Sequence, residues 1–123
     1  MNTIIIDSNF NGEEKTFIGR LHEDRFFDVE LFWSMYDEIN AMSGFYSQKS
    51  EIPKILVKKI LKIYGTILSN FTHHFDLSDN YSISNLSEVS HHDYLERIQC
   101  LFENFGVRQL PESMFDDELR QNP

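Results

Sequence analysis

Apolar residues recur at helical spacing in three long stretches of the chain, and each stretch predicts an amphipathic helix. The first helix is predicted to begin after Asp28, a favourable N-cap residue, and to end at Gly44. Phe27 and Phe32 are spaced to pack across its start. Acidic residues recur on the face opposite the apolar one, so this helix is predicted to expose an acidic surface.

The second predicted helix is the longest and runs from about positions 50–53 to Phe75. Pro53 is tolerated there because the first turn of a helix does not use that backbone N–H. A broad apolar stripe indicates a central helix that is covered on more than one side. Gly65 lowers helix propensity in the middle and marks either a close helix crossing or a bend.

The third predicted helix begins near Ser90 and ends at Gly106, again with its apolar residues on one face. Segments 3–10 and 16–21 flank Asn11-Gly12, which is a short-range signal for a small N-terminal hairpin. The tail from Pro111 to Pro123 is compatible with either a short docking helix or a frayed end.

These elements together predict an all-α fold in which residues 1–123 form a single domain. The expected architecture is a compact bundle of three main helices, with a small N-terminal hairpin and a short C-terminal helix. A chain of 123 residues is long enough to bury one hydrophobic core of this kind.

The formal net charge of −9 is unevenly distributed along the chain. Residues 1–48 carry −6, residues 49–62 carry +4, and residues 63–123 carry −7. An excess of negative charge repels phosphate backbones and anionic lipids, so neither nucleic acid nor a membrane is expected as a partner, whereas a basic protein is favoured. The alternative is that the acidity only serves solubility. The lysines of the second helix are expected to pair loosely with Glu30, Asp37 and Glu38.

A single cysteine, Cys100, excludes an intrachain disulfide framework and fits a reducing compartment. The apolar run at positions 4–6 has no basic segment before it and stops at Asp7, so it is neither a signal peptide nor a membrane span. The expected location is therefore cytoplasmic.

Two His-His pairs, at positions 73–74 and 91–92, together with His22 are the features that most suggest a metal site. Adjacent residues on a helix point about 100° apart, so neither pair can chelate one ion from a regular helix. The sequence also contains no nucleophile motif and no glycine-rich phosphate loop. We therefore expect no catalytic residues, no metal and no cofactor, and a protein that is not an enzyme.

Residues 17–23 read Phe17-Ile18-Gly19-Arg20-Leu21-His22-Glu23, and Phe27-Asp28 and Phe32-Trp33 follow. This arrangement resembles the opening of the Imm41-type immunity proteins, small bacterial proteins of polymorphic toxin and contact-dependent growth inhibition systems. The resemblance covers about the first forty residues. It implies a protein that binds the C-terminal toxin domain of an effector, often a nuclease, and blocks its active site.

A nuclease carries positive charge where it binds phosphates, so an acidic surface would compete for that site and accelerate association. The candidate partner-binding residues are Glu23, Asp24, Glu30, Asp37, Glu38, Asp116, Asp117 and Glu118. The alternative function is a protein-interaction adaptor or regulator without a toxin partner, which would bind through an apolar groove or helix face. Sensitivity of binding to salt separates the two.

Overall fold

The computed structural model describes residues 2–122, most of which are helical. The α-helices are α1 (Ile4–Phe10), α2 (Phe17–Gly19), α3 (Val29–Tyr46), α4 (Lys54–Phe75) and α5 (His91–Glu103). A π-helical turn, Arg20–Asp24, continues α2, and a 3-10 turn spans Glu112–Met114. Across residues 2–122 no β-strand forms, and an isolated bridge joins Phe26 to Ser84. The predicted all-α fold with three main helices is confirmed.

The N-terminal hairpin prediction is wrong, because residues 4–10 form α1. The backbone N–H of Ile6 donates a hydrogen bond of 2.6 Å to the Glu38 carboxylate of α3, which satisfies one of the unpaired amides at the start of α1. Asn9 is buried, and its side-chain oxygen accepts a 2.9 Å bond from the Ile18 backbone N–H. These tertiary contacts favour a helix where the β-branched isoleucines locally favour a strand.

Helix α3 starts as predicted and ends two residues later than predicted. Asp28 accepts a 3.0 Å bond from the Leu31 backbone N–H, and the rings of Phe27 and Phe32 lie 5.3 Å apart. Gly44 lies within the helix. A Cβ at this position would come within 2.6 Å of the Gln109 side chain, so the glycine permits close packing of the segment after α5.

Helices α4 and α5 agree closely with the predicted second and third helices. Gly106 follows α5 in the left-handed conformation (φ +78°). The aromatic rings of the core meet around Phe32, whose ring centroid lies within 5.4 Å of the rings of Phe17, Phe27, Trp33 and Tyr94. This aromatic cluster joins the start of α3 to α2 and α5.

The tail contains the 3-10 turn Glu112–Met114 and then continues as an irregular segment up to residue 122. Leu110 and Leu119 are buried and anchor its two ends to the core. The last residue of the predicted tail, Pro123, lies outside the described residues. The tail is therefore part of the packed structure across residues 110–119.

Candidate functional site

The eight carboxylates predicted to bind a partner fall into two groups. Five of them are exposed, and their side chains bond to no residue distant in the sequence: Glu23, Asp24, Glu30, Asp116 and Glu118. The other three, Asp37, Glu38 and Asp117, are bound to groups elsewhere in the chain. The structure thus separates carboxylates that can face a partner from carboxylates that hold the fold.

Asp117 pairs with the fully buried Arg97 of α5. Arg97 donates to Asp117 at 2.6 and 3.0 Å and to Glu112 at 2.7 and 2.9 Å, and its guanidinium lies 3.9 Å from the centroid of the Phe115 ring. Burial by itself lowers the pKa of Arg97, but the hydrogen bonds to Asp117 and Glu112 outweigh it and raise the pKa. The bond from Arg97 is the main reason that the pKa of Asp117 is lowered. This buried pair fastens the tail to α5.

Asp37 and Glu38 also have structural partners. Arg120 of the tail donates to both oxygens of Asp37, at 2.6 and 3.1 Å, and its guanidinium stacks 4.2 Å above the Trp33 ring. Glu38 accepts the bond from Ile6 that caps α1. Charge reversal at Asp37 or Glu38 would therefore disturb the tail or α1 as well as any partner contact.

A groove of about 480 Å³ lies between α1, the turn at residues 13–16 and the first part of α3. We call it the α1–α3 groove. Its apolar lining includes Ile4, Ile5 and Leu31, and Ile4 is largely exposed. Glu13, Glu14 and Lys15 line the groove and are exposed, which leaves its border with a net negative charge. An apolar groove bordered by carboxylates suits a partner segment that combines apolar and cationic side chains.

Glu30 lies on α3 next to this groove. It directly precedes Leu31, and its backbone carbonyl accepts a hydrogen bond from the hydroxyl of Ser34 one turn later. Both Leu31 and Ser34 line the groove. Glu23 borders a second cleft of about 300 Å³, and Asn9 lines both cavities. Glu30 therefore adjoins the α1–α3 groove, and Glu23 lines a neighbouring cleft that shares Asn9 with it.

Sequence reasoning missed Glu13 and Glu14 as members of this surface. Both follow the Asn11-Gly12 turn, and the predicted hairpin would have placed them in the connection between segments 3–10 and 16–21. The available signal was the apolar run at positions 4–6, whose first two residues are left partly exposed by α1 and line the groove.

The expected pairing of the α4 lysines with the acidic face of α3 is wrong. Lys59 pairs with Asp7 of α1 at 2.7 Å, and Lys62 lies 4.6 Å from the centroid of the Phe10 ring. Neither reaches α3, because α1 packs against both α3 and α4. The α4 lysines are thus kept apart from the acidic face of α3.

His74 of the first His-His pair meets the second pair between the end of α4 and the start of α5, whereas His73 bonds to Asp79 at 2.9 Å. The rings of His74 and His91 lie 5.7 Å apart, and those of His91 and His92 lie 4.3 Å apart. Phe75 stacks on His92 at 5.1 Å. Among residues 2–122, no three histidine, cysteine or carboxylate side chains are arranged to hold a metal ion. The cluster is a packed aromatic contact.

Burial lowers the pKa of both His74 and His91 below the ordinary value of 6.5. The neighbouring imidazoles lower the pKa of His91 further, and Glu88 partly opposes the shift at both residues. The N-terminus of α5 also disfavours positive charge at His91. His74 Nδ1 accepts a 3.0 Å bond from the Ile83 backbone N–H, which protonation of that nitrogen would break.

Acidification is therefore expected to destabilise the protein. Because the pKa of these histidines is lower in the folded than in the unfolded chain, the unfolded chain binds more protons as the pH falls below about 6.5. Urea unfolding should give a smaller free energy of unfolding at about pH 5.5 than at about pH 7.5. The variant His74→Asn/His91→Gln should lose less stability over this interval, since Asn can still accept the bond from Ile83.

His22→Gln is the control for this experiment, because His22 is exposed and lies outside the cluster. It should retain the pH dependence of the unmodified protein. A pH dependence that is identical in the double variant and the unmodified protein would contradict the assignment to His74 and His91.

Cys100 lies half-buried on α5. Burial, followed by the charges of Glu96 and Glu103, raises the pKa of its thiol above the ordinary value. The thiol is therefore mostly protonated near neutral pH and is a weak nucleophile there.

Comparison of the chain with protein-family models, curated proteins and solved structures finds no match. Among residues 2–122, no helix has the length and apolar character needed to cross a membrane. The likeness of residues 17–33 to immunity proteins therefore stays a prediction from the sequence.

Proposed function

We propose that this protein is a cytoplasmic immunity protein that binds and neutralises a bacterial toxin domain with a basic active site, such as a nuclease. The observation that carries the proposal is the α1–α3 groove, where an apolar lining and exposed carboxylates occur together. The resemblance of residues 17–33 to immunity proteins supports the toxin as the kind of partner. On this proposal the protein acts by binding and has no catalytic role.

In this proposal the partner inserts an apolar side chain between α1 and α3 while its cations meet Glu13, Glu14 and Glu30. The desolvated apolar contact would supply most of the affinity, and the carboxylates would supply specificity and a fast approach. A toxin whose phosphate-binding cations are covered in this way could not bind its substrate.

The structure changes which predicted residues we assign to binding. Glu23 and Glu30 stay in the proposed surface, and Glu13 and Glu14 join it, whereas Asp24 is exposed but lines neither cleft. Asp37, Glu38 and Asp117 are assigned to the fold because of their bonds to Arg120, Ile6 and Arg97. Asp116 and Glu118 of the tail are exposed and do not line the groove.

The test first requires that the gene immediately upstream encode a large secreted effector, and it then uses the C-terminal domain of that effector as the binding partner. A biosynthetic operon at that position would contradict the proposal. The variant Glu13→Gln/Glu14→Gln/Glu30→Gln should lower the association rate constant about tenfold or more in stopped-flow or surface-plasmon measurements at low salt. It should also fail to rescue growth when it is co-expressed with the toxin domain.

The matched control is Glu51→Gln/Glu96→Gln/Glu103→Gln, which removes the same charge from exposed positions away from the groove. This control should bind and protect like the unmodified protein. If the effector domain does not bind the protein at all, the proposal is overturned.

An adaptor function without a toxin is the second candidate, and the apolar lining of the groove favours it. An adaptor that binds through this lining would show an affinity nearly independent of ionic strength. Affinity measured at low and high salt therefore decides between the two candidates.

A further inference from the structure

The exposed side of α4 carries an apolar stripe with lysines along one edge, while Tyr64 at the other edge packs on α5. We call this surface the outer face of α4. Helical spacing places its members on one side of the helix: Lys54, Val57, Lys58, Leu61, Gly65 and Leu68. We propose that the outer face of α4 binds an acidic amphipathic helix of a partner protein.

The first support is the exposure of large apolar side chains. Leu61 is 63% exposed and Val57 is 37% exposed. Both continue into the half-buried Leu68 and, at the edge of the stripe, into Tyr64, whose ring stacks on Phe102 of α5 at 4.7 Å. Successive positions are four, three and four residues apart. This is the heptad spacing with which one helix packs along another.

The second support is Gly65. A glycine inside a helix costs about 1 kcal/mol relative to alanine, and a Cβ at Gly65 would meet no atom within 4 Å. Packing within the chain therefore gives no reason for its small size. A missing side chain in the middle of an exposed apolar stripe allows the backbone of another helix to approach closely.

The lysines of the outer face indicate that the partner helix is acidic. Lys54 and Lys58 are exposed and, within residues 2–122, have no carboxylate within 4.0 Å. Helix α4 contains no acidic residue, so contact between the outer faces of two copies would bring lysines against lysines. A partner helix with carboxylates beside its apolar positions would neutralise them.

An anionic membrane surface fits the outer face less well than an acidic helix does. The remainder of the chain is strongly negative, which opposes approach to anionic lipids. The stripe also lacks the exposed aromatic residues that anchor interfacial helices. The outer face lies on a different surface from the α1–α3 groove, so this proposal does not depend on the toxin proposal.

The probe is a fluorescein-labelled synthetic peptide of about 21 residues with Leu at positions a and d and Glu at positions e and g of each heptad. Its binding to the full chain is measured by fluorescence anisotropy. Gly65→Gln should weaken binding about tenfold or more by blocking the close approach, and Lys54→Gln/Lys58→Gln should weaken it in a salt-dependent way.

Three controls keep the result interpretable. Gly65→Gln should leave the thermal unfolding midpoint unchanged or raise it, since its side chain enters open space. Lys15→Gln/Lys49→Gln, with exposed lysines outside the outer face, should bind the peptide normally. The groove variant Glu13→Gln/Glu14→Gln/Glu30→Gln should also bind it normally, which separates this proposal from the toxin proposal.

Several results would overturn the proposal. They are no binding of the peptide at about 1 mM, equal binding of a peptide with Lys in place of Glu, and binding that Gly65→Gln leaves unchanged. Binding to phosphatidylglycerol vesicles without binding to the peptide would assign the face to a lipid surface. A concentration-dependent dimer in sedimentation velocity that Gly65→Gln abolishes would assign it to a second copy.

Discussion

Replacing Arg97 with Met is expected to lower the free energy of unfolding by about 3–5 kcal/mol, the cost of breaking a buried ion pair by removing one partner. Arg97 is fully buried and makes four hydrogen bonds, to Asp117 and Glu112. Its loss leaves the mostly buried carboxylate of Asp117 without its cation, so that carboxyl must take up a proton or the tail must detach from α5.

The measurement is urea unfolding followed by far-ultraviolet circular dichroism. Trp33 fluorescence would be unsuitable, because the Arg97 guanidinium lies 5.3 Å from the Trp33 ring. Arg108→Met is the control, since Arg108 is exposed, and it should change the stability by less than about 0.5 kcal/mol. The double variant Arg97→Met/Asp117→Asn should recover part of the loss, because no uncompensated charge remains at position 117.

If Arg97→Met does not fold, Asp117→Asn provides the same test in milder form. This variant keeps the bonds from Arg97 to Glu112 and should lose about 1–3 kcal/mol. Stability equal to that of the unmodified protein in both variants would show that the buried pair does not hold the tail.

Phe32→Ala is expected to lower the free energy of unfolding by about 3–5 kcal/mol, since it removes a fully buried ring and leaves a cavity. Phe32 contacts rings from α2, α3 and α5, so neighbouring side chains cannot fill the space without moving whole helices. The loss should appear in urea unfolding with a nearly unchanged m-value.

Phe45→Ala is the matched control, because it makes the same change on the same helix at a position that is 40% exposed. It should cost less than about 1 kcal/mol. Phe32→Leu should fall between Phe32→Ala and the unmodified protein, because it keeps part of the volume. Equal losses at positions 32 and 45 would contradict the assignment of the core to the aromatic cluster.

The sequence predicted those parts of the fold that depend on local patterns. Asp28 caps the start of α3 through a residue within one turn, and Gly106 after α5 acts through its own backbone conformation. Both effects therefore follow from the local sequence. The apolar spacing of α4 predicted a long helix ending at Phe75, which is where it ends.

The candidate site was only partly predictable. Exposure of Glu23 and Glu30 follows from their polar surroundings, and both stay in the proposed surface. The structural roles of Asp117 and Asp37 depend on arginines 20 and 83 residues away, and no local pattern reports such a pairing. Glu13 and Glu14 joined the surface only because α1 is a helix that leaves a groove beside α3.

The sequence by itself determined an acidic, all-α protein, because charge is a property of composition and the three long helices follow from apolar periodicity. Only the tertiary structure decided which carboxylates remain outside the fold and that segment 4–10 is helical. It also placed the α4 lysines apart from the acidic face of α3. These outcomes depend on contacts between residues distant in sequence, such as Glu38 with Ile6, and such contacts override local propensity when a buried polar group must be satisfied.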